Sequence, residues 1–121
     1  MRYRKESQLQ TAVERLLRIY EKRGQALYIK NNSGAIKTEQ RFVRFGKVGS
    51  SDFLLFMPDK TYFLECKSSK GRQSERQADF QRRVEQLGQH YQYLIIREVR
   101  QVYDLLEAKD GSVWSNISAD Y

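Results

Sequence analysis

The sequence predicts an α/β (α+β) fold in which helices flank a small mixed β-sheet. Three features predict it: an amphipathic helix near the N-terminus, an apolar β-hairpin in the middle, and a strand–helix–strand unit after the hairpin. With 121 residues, the chain has the length of one domain, which we expect to span 1–121. Its 40% hydrophobic and 31% charged residues exclude a disordered or low-complexity protein, because that mixture can fill a compact core.

The first helix is predicted over Glu6–Lys22, because apolar residues recur there at spacings of three and four and form a single stripe. These residues are Leu9, Ala12, Val13, Leu16, Leu17 and Tyr20. Residues 26–31 predict a short strand with Leu27 and Ile29 on one face. Residues 32–51 are rich in Gly, Ser, Lys and Arg, and they predict a long basic loop that holds one short strand.

A hairpin is predicted in the middle of the chain. Residues 52–57 are a short apolar run, which we interpret as a strand buried on both faces. Pro58-Asp59 is a turn signal, and residues 61–67 predict the second strand. A polar loop over 68–73 leads to the next helix.

The C-terminal half predicts a helix, a strand and a last helix. Ser74 opens the second helix, and Gln77 three residues later completes a capping-box pattern. The inner face of this helix is predicted to consist of Phe80, Val84 and Leu87. Residues 91–96 predict a buried strand parallel to the one before the helix. The last helix ends near Glu107, and its apolar residues are Val99, Val102, Tyr103 and Leu106.

The composition indicates the class of partner and the compartment. The 22 Lys and Arg residues outnumber the 15 Asp and Glu residues, and this excess of +7 favours a polyanionic partner. Nucleic acid is the leading candidate and an anionic membrane surface the weaker one, while a basic protein that binds neither is the alternative. The single cysteine excludes an internal disulfide and a cysteine-based zinc site. With neither a secretion signal nor a membrane-spanning run, we expect an intracellular protein.

The predicted hairpin brings acidic residues together at its open end. If it closes symmetrically about Pro58-Asp59, Asp52 lies directly opposite Glu65. Residues that face each other across antiparallel strands have Cβ atoms roughly 4.5–5.5 Å apart and project to the same face. Because side chains alternate along a strand, Lys67 shares the face of Glu65 while Cys66 points to the other. We therefore expect two carboxylates and one ammonium group to converge there.

Such a cluster is suited to the hydrolysis of a phosphodiester bond. Two carboxylates at this separation repel each other unless a cation lies between them, and their hard oxygen atoms favour Mg²⁺ or Mn²⁺. A bound cation would polarise a phosphoryl oxygen and position a water molecule. The Lys67 ammonium could orient that water, help to remove its proton or stabilise negative charge at phosphorus. The alternative is a solvated ion pair, because Glu-x-Lys triplets at strand ends are common.

The spacing from Asp52 over twelve residues to Glu65-Cys66-Lys67 resembles the motif of the PD-(D/E)XK nuclease superfamily. More narrowly, the chain is similar to a stand-alone VRR-NUC domain, the virus-type replication–repair nuclease module, over about residues 6–106. The matching segments are Glu6, Asn31 or Asn32, Gly49-Ser50-Ser51-Asp52, Phe63-Leu64-Glu65-Cys66-Lys67, Gly71-Arg72-Gln73-Ser74, Gln77 and residues 88–97. Ser51 departs from the family pattern, in which a proline often precedes the aspartate.

The resemblance implies a restriction-endonuclease-like core and an endonuclease that uses Mg²⁺ or Mn²⁺ to cleave DNA. The metal ligands that it implies are Asp52, Glu65 and the backbone carbonyl of Cys66, and the catalytic lysine is Lys67. Stand-alone members look like phage or prophage proteins and resemble Holliday-junction resolvases in forming homodimers. Branched DNA such as a four-way junction is therefore the expected substrate, a homodimer the expected assembly, and the bacterial cytoplasm the expected location.

The resemblance also implies two residues from the helices. Glu6 would be an additional acidic group near the metal, and Gln77 would position the site from the second helix. Each has a simpler alternative: Glu6 complements the dipole of the first helix, and Gln77 caps the second helix with Ser74. For Cys66 we expect a small core side chain, and for His90 a surface position.

Basic side chains in the two loops that border the predicted site are expected to contact phosphates without reading base sequence. They are Lys30, Lys37, Arg41, Arg44, Lys47, Lys70, Arg72 and Arg76. No small-molecule cofactor and no membrane partner is expected. Two other functions compete with a structure-selective endonuclease: a non-catalytic nucleic-acid-binding domain that keeps the nuclease fold, and a sequence-specific restriction enzyme.

Overall fold

A computed structural model describes residues 3, 5–31, 34–37, 42–45 and 49–108, with 34–37 and 42–45 described by their backbone. Over these residues the chain forms helices and strands in the order α1 (Glu6–Lys22), β1 (Leu27–Lys30), β2 (Gly34–Lys37), β3 (Phe42–Phe45), β4 (Phe53–Phe56), β5 (Thr61–Cys66), α2 (Glu75–Gln86), β6 (Tyr91–Ile96) and α3 (Val99–Glu107). None of the helices in this part of the chain is long and apolar enough to cross a membrane.

Four strands form a mixed sheet in the order β1-β4-β5-β6. β4 pairs antiparallel with both β1 and β5, whereas β5 and β6 are parallel and are connected through α2. The α+β fold with a small mixed sheet is therefore confirmed.

The segment after β1 differs from the prediction. β2 and β3 pair with each other as a separate antiparallel hairpin, where the sequence predicts a basic loop with one short strand. Each strand has only four residues. In a segment rich in Gly, Lys and Arg, four residues are too few for the apolar–polar alternation of a strand to repeat. The pattern therefore does not distinguish a strand from a loop.

The register of the β4–β5 hairpin is the symmetric one that the sequence predicts. Phe53 is paired with Leu64 and Phe56 with Thr61, on either side of the Pro58-Asp59 turn. The Asp52 amide also donates to the Leu64 carbonyl, at 2.9 Å, although Leu64 is the partner of Phe53, so the regular pairing ends at Phe53. Asp52 therefore lies just outside the paired residues, and its carboxylate still converges with that of Glu65 at this end of the hairpin.

The main core lies between one face of the sheet and the helices α1 and α3. Its residues are Leu9, Val13, Leu17, Tyr20, Phe53, Leu55, Tyr62, Leu64, Cys66, Leu94, Ile96, Val102, Leu105 and Leu106. The Tyr20 hydroxyl donates to Glu107 at 2.5 Å and joins α1 to α3. α2 contacts the other face, where the Phe80 ring packs against Phe63 and Tyr93.

Several apolar positions are less buried than predicted. β4 is fully buried on the face of Phe53 and Leu55 only, because α2 packs against β6 and not against β4. On the same uncovered side of the sheet, Leu27 and Ile29 share a face as predicted but are 55% and 50% exposed. The prediction that Leu87 lies on the inner face of α2 is wrong, because Leu87 is the C-cap residue of the helix and its side chain is exposed to solvent. Tyr91 and Tyr103 are also exposed, at 36% and 39%.

Candidate functional site

Three carboxylates converge at the open end of the β4–β5 hairpin. Oxygen atoms of Glu6, Asp52 and Glu65 all lie within 4.8 Å of one another. Asp52 directly precedes β4, Glu65 lies near the end of β5, and Glu6 is in the first turn of α1. Packing of α1 on the sheet brings the Glu6 carboxylate to the other two, which sequence spacing by itself does not predict.

Hydrogen bonds hold both the carboxylate and the backbone carbonyl of Asp52. Its Oδ2 accepts a hydrogen bond from the Cys66 amide at 2.7 Å, and its carbonyl accepts one from the Asn31 amide at 2.8 Å. The Asn31 side chain donates to Ser50 Oγ at 2.8 Å and to the Ser51 carbonyl at 2.9 Å. Asn31 therefore holds the segment that leads to Asp52, and Asn32 lies outside the described residues.

Gly49 permits a close contact between this segment and α2. Its φ is +81°, in the left-handed region, and a Cβ built there would lie 2.5 Å from the Arg76 carbonyl oxygen. A side chain at this position would force the backbone away from the first turn of α2. The glycine before Ser50-Ser51-Asp52 is thus required for the packing that brings α2 to the site.

Glu65 is an ionisable side chain in the interior, with only 2% of its surface exposed. Its Oε2 accepts a hydrogen bond from Gln77 Nε2 at 3.1 Å and lies 3.5 Å from Lys67 Nζ. Its Oε1 is buried and has no hydrogen-bond partner among the described residues. An unpaired buried carboxylate oxygen is costly, and the three clustered carboxylates are the hard donors that bind Mg²⁺ or Mn²⁺. The residues therefore fit a divalent cation.

Burial and charge raise the pKa of both hairpin carboxyls. For Glu65 the main cause is desolvation, followed by repulsion from the Asp52 carboxylate, and the Lys67 ammonium opposes the rise. For Asp52 desolvation again raises the pKa, while the hydrogen bond from the Cys66 amide lowers it. Perturbed pKa values that cluster in this way are typical of functional sites.

Lys67 is held at the edge of the cluster. The residue is 7% exposed, and its Nζ lies 4.0 Å from Glu6 Oε1 in addition to its contact with Glu65. The side chain of Cys66 points the opposite way into the main core, as predicted from alternation. The hairpin therefore places the ammonium on the same side of the sheet as the carboxylates.

Gln77 has two contacts at once. Its side-chain Oε1 accepts a hydrogen bond from the Ser74 backbone amide at 2.9 Å, and its backbone amide donates to Ser74 Oγ at 3.1 Å. These two bonds form the capping box of α2. Its Nε2 is the group that donates to Glu65. The capping alternative and the positioning prediction for Gln77 are therefore both consistent with the geometry, because one amide side chain has both an acceptor and a donor.

Some of the predicted phosphate-binding residues are exposed on elements that also contribute residues to the site. Lys70 and Arg72 are exposed on the loop after Lys67, and Arg76 is exposed in the first turn of α2. Lys30 on β1 is also exposed, and its Nζ lies 3.8 Å from Glu14. Arg41 and Lys47 lie outside the described residues, as do the side chains of Lys37 and Arg44.

Two residues near the site, Gln10 and Arg97, were not predicted from the sequence. Gln10 hydrogen-bonds the Asp52 carboxylate and lies one helical turn after Glu6, so its spacing on α1 could have indicated the same face. Arg97 donates from Nη1 to the carbonyls of Ser68 and Gly71, at 2.8 and 2.9 Å. Only the fold could reveal this contact, because the partners are backbone atoms. His90 is exposed, as predicted.

Comparison with known proteins tests the resemblance at the level of the fold. No family profile and no curated protein sequence matches the chain. A solved structure described as a "VRR_NUC domain" is similar to it, with 19% identity, a TM-score of 0.56, and coverage of 87% of this chain and 97% of that one. The chain therefore has the fold of a VRR-NUC domain, as the resemblance of its motifs predicts.

Proposed function

We propose that this protein is a metal-dependent endonuclease that hydrolyses phosphodiester bonds in DNA. The observation that carries the proposal is the buried, unpartnered Oε1 of Glu65, beside the carboxylates of Glu6 and Asp52. A charged oxygen without a partner at this depth needs a cation or a proton, and three converging carboxylates favour the cation. The VRR-NUC fold is consistent with this chemistry.

Asp52 and Glu65, together with the Cys66 carbonyl, are the proposed ligands of Mg²⁺ or Mn²⁺, and Glu6 is an additional acidic group at the cation. The cation would supply Lewis-acid polarisation of the phosphoryl oxygen and a more acidic water. The Cys66 amide and Gln10 orient the Asp52 carboxylate. Gln77 donates a hydrogen bond to Oε2 of Glu65, and Oε1 is therefore left to bind the cation.

Lys67 is the proposed catalytic lysine. Its ammonium is held within 4.0 Å of two of the three carboxylates, so it is next to the proposed position of the reacting phosphate. A positive charge fixed there would stabilise the negative charge that develops on the phosphoryl oxygens during attack, or would orient the attacking water. Its low exposure increases the strength of this interaction, since water screens it poorly.

DNA is the proposed substrate because the surface next to the cluster is basic. Lys70 and Arg72 are exposed on the loop that follows Lys67, and Arg76 is exposed in the first turn of α2 directly before Gln77, in a chain of net charge +7. Lysine and arginine in such loops contact phosphates and position the nucleic acid without reading its sequence. Selectivity for branched DNA and assembly as a homodimer complete the proposal, and light scattering distinguishes one chain from two.

Cleavage assays test the proposal. Labelled four-way-junction and linear duplex DNA are incubated with the protein in Mg²⁺, in Mn²⁺ and in a chelator. We expect metal-dependent cutting that is faster on the junction. Asp52→Asn and Lys67→Ala are expected to lower the rate by roughly 100-fold or more, because each removes a charge from the reacting centre. Asp79→Asn, which alters an exposed carboxylate paired with Arg82 and Arg83, is expected to cut like the wild type.

The same assay separates the competing functions. DNA binding without cutting in either metal would favour a non-catalytic domain and reject the nuclease. Discrete fragments of plasmid DNA that share one recognition sequence would indicate a restriction enzyme instead.

A further inference from the structure

Arg97 lies at the point where the two parallel strands end side by side. It directly follows β6, and the carbonyl of the preceding Ile96 accepts a hydrogen bond from the Lys67 amide at 2.9 Å. The Arg97 amide itself donates to Gln101 Oε1 at 2.6 Å, which fixes its backbone against the start of α3. The guanidinium therefore extends from a firmly held position toward the segment that follows Lys67.

The guanidinium closes the turn that follows Lys67. Nη1 of Arg97 donates to the Ser68 carbonyl at 2.8 Å and to the Gly71 carbonyl at 2.9 Å, and the Gly71 amide donates to Ser68 at 3.1 Å. Both ends of the turn over 68–71 are thus held by one nitrogen. None of the ion pairs formed among the described residues includes Arg97, whereas Arg82 and Arg83 pair with an aspartate on their own helix.

The turn is packed against the side chain of Lys67. A Cβ built on Gly71 would lie 3.5 Å from Lys67 Cδ and 3.2 Å from Ser68 Oγ. The same turn carries Lys70, and Arg72 follows directly. Any movement of the 68–71 backbone would therefore change both the packing of the Lys67 stem and the position of two exposed cations.

We propose that Arg97 is a positioning residue for the nuclease site, an inference that rests on the proposed function. It holds the turn in the shape that confines the Lys67 ammonium beside Glu65 and presents Lys70 and Arg72 to DNA phosphates. Arginine suits this role because its planar guanidinium has several donors in a fixed arrangement, while lysine has a single flexible ammonium.

Native-state proteolysis tests whether Arg97 holds the 68–71 turn, and it does not depend on nuclease activity. Trypsin cleaves after Lys70 and Arg72, and cleavage of a folded protein requires local opening of the backbone. In Arg97→Met we expect cleavage at these two positions to become roughly 10-fold faster or more, and in Arg97→Lys to be intermediate. Arg83→Met is the matched control, because its ion pair lies on α2, and it is expected to leave both rates unchanged.

The kinetics of DNA cleavage test whether the turn positions Lys67. Arg97→Met is expected to lower kcat on DNA by roughly 10- to 100-fold, the loss that a small misplacement of a catalytic group produces. In the Lys67→Ala background the same substitution is expected to change kcat little, because its effect passes through Lys67. A purely structural role would instead give the same fractional loss in both backgrounds.

The outcomes separate this inference from the proposed function. If trypsin cleaves Arg97→Met faster after Lys70 and Arg72, and the wild type does not cut DNA, the turn assignment stands and the nuclease proposal is rejected. Unchanged tryptic rates in a folded Arg97→Met, or equal losses of kcat in both backgrounds, would overturn the role of Arg97. If Arg97→Met does not fold, the same comparisons made with Arg97→Lys decide between these results.

Discussion

Glu65 combines a charged group with almost complete burial. Desolvation and the neighbouring Asp52 carboxylate raise its pKa, so in the metal-free protein the folded state disfavours the charged form. Because the folded pKa lies above the unfolded one, the associated stability is present at low pH and is lost as the pH rises through the folded pKa. The site therefore weakens the metal-free fold at neutral and alkaline pH.

Glu65→Gln removes the charge and keeps both the side-chain volume and an acceptor for Gln77. In a chelator at pH 8, we expect the free energy of unfolding to rise by on the order of 1 kcal/mol, or about 4 °C in Tm, measured by thermal denaturation. The gain should shrink as the pH falls to roughly 4–5, where the unfolded carboxyl is itself protonated. Asp59→Asn, at an exposed turn, is the control. A wild type that is as stable as Glu65→Gln at pH 8 would contradict this account.

At the scale of single elements, the first turn of α2 links helix stability to the site. Ser74 and Gln77 exchange hydrogen bonds in the capping box, and Gln77 also holds Glu65. Losing the cap exposes unpaired amides at the helix start, whereas losing the Gln77 Nε2 contact frees the carboxylate. Substitution of the two residues separates these effects.

Ser74→Ala and Gln77→Ala are both expected to lower the free energy of unfolding by about 1 kcal/mol, because each removes one side of the cap. Only Gln77→Ala is expected to lower kcat as well, by roughly 10-fold, since only Gln77 contacts Glu65. Chemical denaturation and cleavage kinetics of the two variants provide the comparison. Equal kcat values would show that Gln77 acts as a helix cap alone.

The β4–β5 hairpin shows how far local pattern determines structure. Apolar runs on either side of Pro58-Asp59 predict the register that is observed, because a one-residue shift would turn Phe53 and Leu55 away from the core. The bounds of α1 agree with the prediction for a similar reason, since its apolar stripe is long enough to repeat several times. The β2–β3 hairpin has no such repeat, and the sequence predicts only one short strand there where the structure has two.

At the scale of the whole molecule, the excess of positive charge should appear in the salt dependence of DNA binding. Each phosphate neutralised by the protein contributes about −0.9 to the slope of log K against log salt concentration on duplex DNA. We expect a steep slope for Asp52→Asn, which is proposed to bind without cutting. Replacing Lys70, Arg72 and Arg76 together by glutamine should reduce the slope by up to roughly 3.

Fluorescence anisotropy over a series of salt concentrations measures these slopes. Replacement of Arg82, Arg83 and Arg100 by glutamine removes the same charge from helix surfaces where each arginine pairs with an aspartate, and it is the matched control. If both triple variants reduce the slope equally, net charge rather than the surface beside the carboxylates determines binding.

The sequence by itself determined the α+β class, the hairpin register and the shared face of Asp52, Glu65 and Lys67, because these depend on alternation and turn chemistry over a few neighbouring residues. The tertiary structure decided which distant groups complete the cluster. Glu6 reaches Asp52 only through the packing of α1, and Arg97 reaches the turn after Lys67 only because β6 lies parallel to β5. Such contacts depend on the relative placement of whole elements, which no local spacing encodes.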